Sequence, residues 1–394
     1  MGRKLKVAMI SPGTFPIAGR KASSIEMLMV KLAELFQKKA DVFMFGKKFS
    51  RQPHLEKKGS ITYYRFLIFQ SNPYMKQTIE QLQTIKPDII HIENRPRFVK
   101  AVRLAMPRSK IILVMQSTLF MSRPHISKEE LMRCLEGADA IVVNSHYLKN
   151  HMVTENLCAS SKIIVNHLGV DVDQFQPKWH QEPKARVTQL KAKWGVTDRK
   201  ILLYVGRLVE IKGVHHILEA MPTLIKVDPS IILFIAGSSL APSAETRAYE
   251  ARLQKMAEKV KDHVIFNSII THDEIHTWFQ MADLLLVPSA AEPFGLVNVE
   301  AMAVGTPVIA TNSGGIPEII EHGKTGILIQ PERVVNELTW QVIKLFANPK
   351  KIMRMGVESA LHVRNQFTWA LTAQRYLALY RKLVKSSRMK DKSP

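Results

Sequence analysis

Short apolar runs recur along the chain, separated by longer stretches in which apolar residues return every three or four positions. The first run occupies residues 7–10, and others follow at 41–45, 89–92, 111–115, 140–143 and 163–166. Runs of that length read as strands, and residues 24–36 and 74–85 between some of them read as helices. Alternating strands and helices imply a mostly parallel sheet covered on both faces, as in α/β proteins. A second series repeats the pattern at 201–205, 231–236, 264–266, 283–287, 308–310 and 326–329. Two α/β units are therefore expected in the 394 residues, a length beyond the usual reach of one hydrophobic core.

The segment 169–194 carries Pro177, Trp179 and Pro183 in mixed polar composition, so the junction is placed near its start, giving units 1–168 and 169–366. One internal echo supports two units. Ala138-Asp139, AIVV, Asn144 and Ser145 are matched by Ala282-Asp283, LLLV, Pro288 and Ser289 at a constant offset of 144, so that in each half an aspartate opens a buried strand that ends in serine. From Phe367 the spacing in FTWALTAQRYLALYRKLV predicts a closing helix over 367–385. Residues 386–394, polar, basic and ended by Pro394, read as a disordered tail.

Composition narrows the class. Hydrophobic residues make up 46% of the chain, enough for sizeable cores, and the two cysteines, Cys134 and Cys158, form no disulfide framework or metal spacing, which suits a reducing, cytoplasmic setting. The apolar run behind the basic GRKLK stops at Ser11-Pro12, too soon for a signal-peptide core, and no run reaches the roughly 18 residues of a membrane span. The expectation is a soluble protein, or one peripheral at an inner membrane face or spore coat. A net charge of +22 attracts phosphates, anionic lipid or nucleic acid. The lysines and arginines gathered between Lys31 and Lys58 read first as a solvated face and second as a contact with anionic membrane. Nucleic acid is set aside because no zinc spacing, RNP-like aromatic motif or heptad accompanies the charge.

The chemistry concentrates in two loops of the second unit. In PSAAEPFGLVNVEAMAVGTPVIATNSGGIPEII, from Pro288, Glu292 lies beyond a strand, Gly295 opens a helix, and Glu300 falls inside it. Both carboxylates border the carboxyl edge of a parallel sheet, where open α/β folds take ligands, and the free amides near Gly295 and Leu296 suit an anion. A carboxylate there has two acceptor oxygens, fit for paired ribose hydroxyls at Glu300 and sugar hydroxyls at Glu292. At the first strand of the same unit, Tyr204-Val205-Gly206-Arg207 is followed by Lys212-Gly213. A guanidinium and an ammonium five residues apart suit a diphosphate and the charge that grows on it as a sugar departs.

Taken together, GRLVEIKG at 206–213 and EPFGLVNVE at 292–300, with its E-x(7)-E spacing, resemble the retaining glycosyltransferases of family 4. SPGTFPIAG, PDIIHIEN, GADAIVVNS, HLGVDVDQFQP and FTWALTAQRYLALY also have counterparts there, so the resemblance spans nearly the whole chain. It implies the GT-B fold, two Rossmann-like domains facing across a cleft with a C-terminal helix crossing back to the first, acceptor-side domain. It also implies transfer of a hexose-type sugar from a nucleoside diphosphate sugar to a glycan, lipid or small-molecule hydroxyl, with retention and without metal or other cofactor. Carried over by position, Arg207, Lys212 and Glu292 are catalytic, the first two on the diphosphate and Glu292 on the sugar. Gly19, Gly206, Phe294, Gly295, Leu296 and Glu300 bind donor, Glu300 through the ribose. Ala18-Gly19 matches a glycine pair of which only the second is present. Gln116 stands where many members carry a histidine that reaches the sugar; it can still hydrogen-bond a hydroxyl but has no proton to exchange near neutral pH.

HIENRPRFVKAVRLAMPRSKIIL, STLF and CLEGADAIVVNSHYLK resemble the spore-coat-associated bacterial branch of the family, which implies a role in envelope or spore-coat polysaccharide. The alternative is a catalytically weak or inactive GT-B protein kept as a structural coat component, motivated by Gln116 and that branch. An NAD-type oxidoreductase is set aside because this chain has no G-x-G-x-x-G after any strand. Asp171-Val172-Asp173 mimics a metal-holding D-x-D but lies in the junction, and His91, His215 and His216 have no ligand spacing, so none of these residues is given a metal or catalytic role.

Overall fold

The computed structural model describes residues 3–19, 23–49, 51–68, 73–238, 243–267, 270–271 and 273–390. The chain divides into two compact units. One comprises residues up to His167 together with those from Trp369 onward, and the other is Leu168–Thr368.

The first unit carries strands β1 (Leu5–Ile10), β2 (Ala40–Lys47), β3 (Leu55–Lys58), β4 (Ile61–Phe66), β5 (Ile89–Glu93), β6 (Lys110–Met115), β7 (Ala140–Val143) and β8 (Ile163–Val165). They join in the order β3-β4-β2-β1-β5-β6-β7-β8, parallel except where β3 runs against β4. Helices Ser24–Phe36 and Tyr74–Ile85 have the expected bounds. The first starts where Ser23 accepts the Ile25 amide and bonds Glu26 in return, a capping box that ties up amides the helix cannot satisfy. Its apolar stripe, Leu28, Met29, Leu32 and Phe36, is buried. Phe36 packs edge-on against Tyr380 at 5.6 Å, on the closing helix Trp369–Lys390.

That helix departs from the sequence expectation. It starts two residues later than Phe367 and continues five residues past 385, so residues 386–390, read as part of a disordered tail, are helical. The remaining residues 391–394 lie outside those described. The 22-residue helix contains no proline or glycine, so nothing local stops it where the apolar spacing ends. Its length and composition do not make it a membrane helix: no described helix is long and apolar enough to cross a bilayer.

The second unit carries β9 (Lys200–Val205), β10 (Ile231–Ala236), β11 (Val264–Asn267), β12 (Leu284–Val287), β13 (Val308–Thr311) and β14 (Ile327–Ile329). All pairs are parallel in the order β11-β10-β9-β12-β13-β14. Leu202, Leu233, Ile235, Leu284, Leu286 and Ile309 meet Val214, Ile217 and Met221 from helix Val214–Val227 and Leu338 and Val342 from helix Val334–Phe346. Burying each such side chain contributes about 1.5–3 kcal/mol. The order steps outward from β9 to β11, then returns to place β12 on the other side of β9. Neighbouring crossovers therefore leave in opposite directions at β9 and β12, opening a crevice at their carboxyl ends.

The echo at offset 144 marks the same device in both units. Asp139 accepts the Ile111 amide at 2.8 Å and donates its own amide to Ile111 O at 2.7 Å. Asp283 does the same with Ile201, at 2.7 Å and 2.9 Å. Each aspartate thus fixes the register between a strand and its neighbour. Burial opposes the charge on Asp139, but the Ile111 amide, Arg103 and Lys110 together hold its carboxyl below the usual carboxylate range.

Candidate functional site

At the carboxyl end of β9 the chain turns sharply. Gly206 donates to Ala236 O at 3.0 Å, and the Tyr204 hydroxyl donates to Arg207 O at 2.9 Å, which folds the turn back and leaves the Arg207 side chain exposed. A short turn, Glu210–Lys212, follows and ends on Gly213 at φ +70, where helix Val214–Val227 begins. Gly213 is needed for a second reason: a β-carbon there would run into the Pro288 carbonyl oxygen of the loop after β12. The two loops are also stitched by Ala290 N to Ile211 O at 2.9 Å.

This close approach brings the charges together. Lys212 Nζ pairs with Glu292 Oε2, and their side chains keep only 16% and 15% of their surface. Burial pushes the ionisation of the Tyr204 hydroxyl well up, and Glu292 and Arg207 act on it with opposite signs. Arg207 has no carboxylate partner among the described residues. Sequence reasoning gave Lys212 to the diphosphate and Glu292 to the sugar; the structure pairs the two with each other.

The Glu292 backbone is held as firmly as its side chain. Its carbonyl accepts the Gly315 amide at 2.8 Å. Gly314, at φ +60, lies so close that an added β-carbon would collide with that carbonyl oxygen. Gly314→Ala should therefore cost about 2–4 kcal/mol, from backbone strain and overlap together. A urea titration checks this, and a midpoint unchanged from wild type would refute it.

Phe294 is buried beside Phe367, with ring centroids 6.0 Å apart. Gly295 caps helix Leu296–Ala303 with no side-chain hydrogen bond to its first turn, so amides at Gly295 and Leu296 remain for an anion. Glu300 lies one turn inside. Part of its surface still meets solvent, but protein atoms crowd it enough that burial pushes its carboxyl up to about 8. No cation or hydrogen-bond donor faces it among the described residues. Asn298, which the sequence did not single out, is fully buried with neither amide atom hydrogen-bonded, and its Nδ2 crowds the space where Gly295 would carry a side chain.

The remaining expected residues belong to the first unit. Gly19 lies beyond β1 in a loop where Gln52 Nε2 donates to Ala18 O at 2.6 Å. Gln116 follows β6 directly and is half-buried. Its backbone amide donates to Asn94 Oδ1 at 2.8 Å, and its side chain touches Glu93 and Asn144. His91 and Glu93, neither assigned a role by the sequence, are completely buried and hydrogen-bonded to each other. A charged residue ending a strand read as fully buried was the signal available for Glu93. Asp171, in the D-x-D mimic, accepts the Asp173 amide at 3.2 Å, a local turn bond. His215 Nδ1 is 2.8 Å from the Tyr249 hydroxyl, at the start of helix Val214–Val227.

Known proteins share this architecture. The fold is that of sucrose-phosphate synthase from Thermosynechococcus elongatus (TM-score 0.78, 23% identity, 97% of this chain and 100% of that one). It is also that of Anabaena HepE crystallised with UDP and glucose (TM-score 0.74, 19% identity, 96% and 100%). These likenesses define the GT-B class. A family model described as Glycosyltransferase Family 4 matches residues 25–174, and one described as Glycosyl transferases group 1 matches residues 187–360. The chain belongs to glycosyltransferase family 4, and it is a glycosyltransferase. Over nearly its full length it is similar to spore coat protein SA of Bacillus subtilis, 28% identical over 379 residues, 96% of this chain and 100% of the relative.

Proposed function

We propose that the chain moves a hexose-type sugar from a nucleoside diphosphate sugar to a hydroxyl acceptor with retention of anomeric configuration. The observation that carries this reading is the convergence of Arg207 and the Lys212–Glu292 pair at the crevice between β9 and β12, with Glu300 on the helix that follows. A diphosphate arriving there meets a free guanidinium and draws Lys212 from Glu292, which releases a carboxylate for the hydroxyls of the sugar. The amides at Gly295 and Leu296 hold phosphate oxygens, and Glu300 takes the ribose diol. As the glycosidic bond breaks, negative charge grows on the diphosphate, and Arg207 and Lys212 stabilise it where it forms. These two cations do the work a divalent ion does elsewhere, so no metal is required. The likeness to spore coat protein SA supports a role in envelope or spore-coat polysaccharide, and the UDP and glucose held by HepE make UDP-sugars the first donors to try.

A thermal-shift panel of UDP-, GDP- and ADP-sugars tests the reading. A donor at 100 times its dissociation constant adds about 2.7 kcal/mol to native stability, so at least one should raise Tm, with EDTA making no difference. Arg207→Ala should abolish that rise. If no sugar nucleotide shifts the wild type, the assignment is wrong.

A further inference from the structure

The donor crevice lies at the carboxyl ends of β9 and β12. A second concave site of the same unit lies at the opposite edge of that sheet, where Lys200 opens β9, Asp283 precedes β12 and Gly305 comes shortly before β13. The cavity there measures about 510 Å³, a size that suits a small organic ligand. All its lining residues belong to Leu168–Thr368.

The walls of this cavity are apolar, and one of them is fixed in place. The Lys178 amide donates to Val304 O at 2.9 Å, which draws the adjoining Trp179 onto the turn before β13. Gly305 has φ +79, and a β-carbon there would overlap the Trp179 ring. The indole thus rests directly on backbone, yet 46% of the residue remains exposed. Helix Pro349–Gln366 packs on the same turn, with Gly356 against Gly305 O. Its Ile352 and Met353, with Phe346 from the helix before it, continue the apolar lining. Met353 is exposed.

The polar groups are mostly cations. Lys178, Lys184 and Lys200 line the cavity, and Asp283 is the one acid among its described lining residues. Lys200 Nζ pairs with Asp228 at 2.6 Å and stands over the Phe346 ring, 5.3 Å from its centroid. Lys178 Nζ donates to Ala282 O at 2.9 Å and to Thr306 Oγ1 at 3.2 Å. Burial lowers its ammonium to about 8, although Asp283 opposes the shift. The three ammonium groups are met by two carboxylates, Asp283 in the lining and Asp228 beside Lys200, which leaves one positive charge in excess. Asp283 is also engaged by the Ile201 amide, so a hydroxyl-rich ligand finds few acceptors here. A flat apolar ring bearing one negative charge matches both properties, since the ring can stack on the indole and the charge can meet the lysines.

We propose that this cavity is a binding site for an aromatic monoanion of the carboxylate class, with its ring between Trp179 and Met353 and its charge toward Lys184 and Lys200. The site is separate from the donor crevice and does not depend on the transferase reading.

The probe for the test is anilinonaphthalene sulfonate, an aromatic monoanion whose fluorescence rises when it leaves water. The full chain should bind it saturably, one molecule per protein, and more weakly in high salt. Lys184 and Met353 are both exposed, so charge changes at them should leave the urea midpoint unaltered. Lys184→Glu should raise the probe's dissociation constant about fivefold or more, and Met353→Glu, which removes an apolar contact and adds repulsion, about tenfold or more. N-phenylnaphthylamine, a neutral analogue, should bind more weakly and be indifferent to Lys184→Glu. Arg207→Ala should leave the probe's constant unchanged, because that side chain serves the other edge of the sheet. Wild-type affinity in both charge variants overturns the proposal, as does absence of saturable binding. Equal affinity for the neutral analogue overturns it by showing an apolar surface that does not select charge. Loss of the probe in Arg207→Ala overturns it by placing the anion in the donor crevice. None of these measurements uses turnover, so the result stands whether or not any sugar nucleotide is a donor.

Discussion

Lys212→Ala should lower donor turnover by about 10²–10³-fold, the scale seen when one preorganised group facing developing charge is lost. The side chain is anchored by its short turn and by the contact of Gly213 with the neighbouring loop, so it meets the diphosphate without having to be ordered first. The same substitution strands Glu292, largely buried, without its counter-charge. Removing one partner of such a pair costs more than the pair contributes, so stability should fall by about 1–3 kcal/mol. A double variant, Lys212→Ala with Glu292→Ala, should regain most of that stability and none of the turnover. Steady-state kinetics and urea midpoints on the three variants separate the two effects. Turnover within fivefold of wild type in Lys212→Ala, or its recovery in the double variant, would exclude Lys212 from the chemistry.

Glu300→Gln should stabilise the protein while weakening donor binding. In the folded chain burial holds this carboxyl at about 8, against an ordinary value of 4.5. Its contribution to stability is therefore complete below 4.5 and is lost as pH rises toward 8, because the unfolded chain releases the proton earlier. An amide suffers no such loss. The stability difference between variant and wild type should grow between pH 4.5 and 8 and level off above. Each pKa unit corresponds to about 1.4 kcal/mol. Because part of the side chain still meets water, about 2 kcal/mol is the expected gain at pH 8.5, or roughly 4–8 °C in Tm. At pH 8.5, where Glu300 is ionised, donor binding should meanwhile weaken about tenfold or more, since an amide oxygen cannot accept both ribose hydroxyls as a carboxylate can. Thermal melts across pH, with and without donor, give both numbers. A pH-independent difference would show that Glu300 is not held in its protonated form.

Much of this was legible in the sequence because the signals were local. Helices 24–36 and 74–85 have apolar stripes at regular spacing, and the strands of the second unit are short apolar runs set off by turn residues. Arg207, Lys212, Glu292 and Glu300 were placed from strand ends and helix starts alone, and the structure puts them at the edge that reasoning implied. The hairpin β3–β4 escaped because β3 reads LEKK, an edge strand whose identity comes from pairing rather than burial. Helix Gln181–Lys193 escaped because only Pro183 in it is buried, so it has no apolar stripe to read. What no single stretch could reveal is pairing over distance. Lys212 and Glu292 are 80 residues apart, and His91 and Tyr380 are 289 apart. For Lys212 and Glu292 the sequence supplied both residues with no indication that they pair, and for His91 it gave no indication of Tyr380.

The first unit is assembled from both ends of the chain, with the second unit lying between them in sequence. Tyr376 and Tyr380 sit deep in its interior against Phe36 and His91, so that interior stays open on one side until the last helix has been made. A ribosome working from the amino terminus thus finishes the later unit first. Its predecessor must wait, with apolar surface uncovered for some 200 residues of synthesis, or about 10–40 seconds at ordinary translation rates. That interval is when the nascent protein is most exposed to aggregation and most in need of a chaperone.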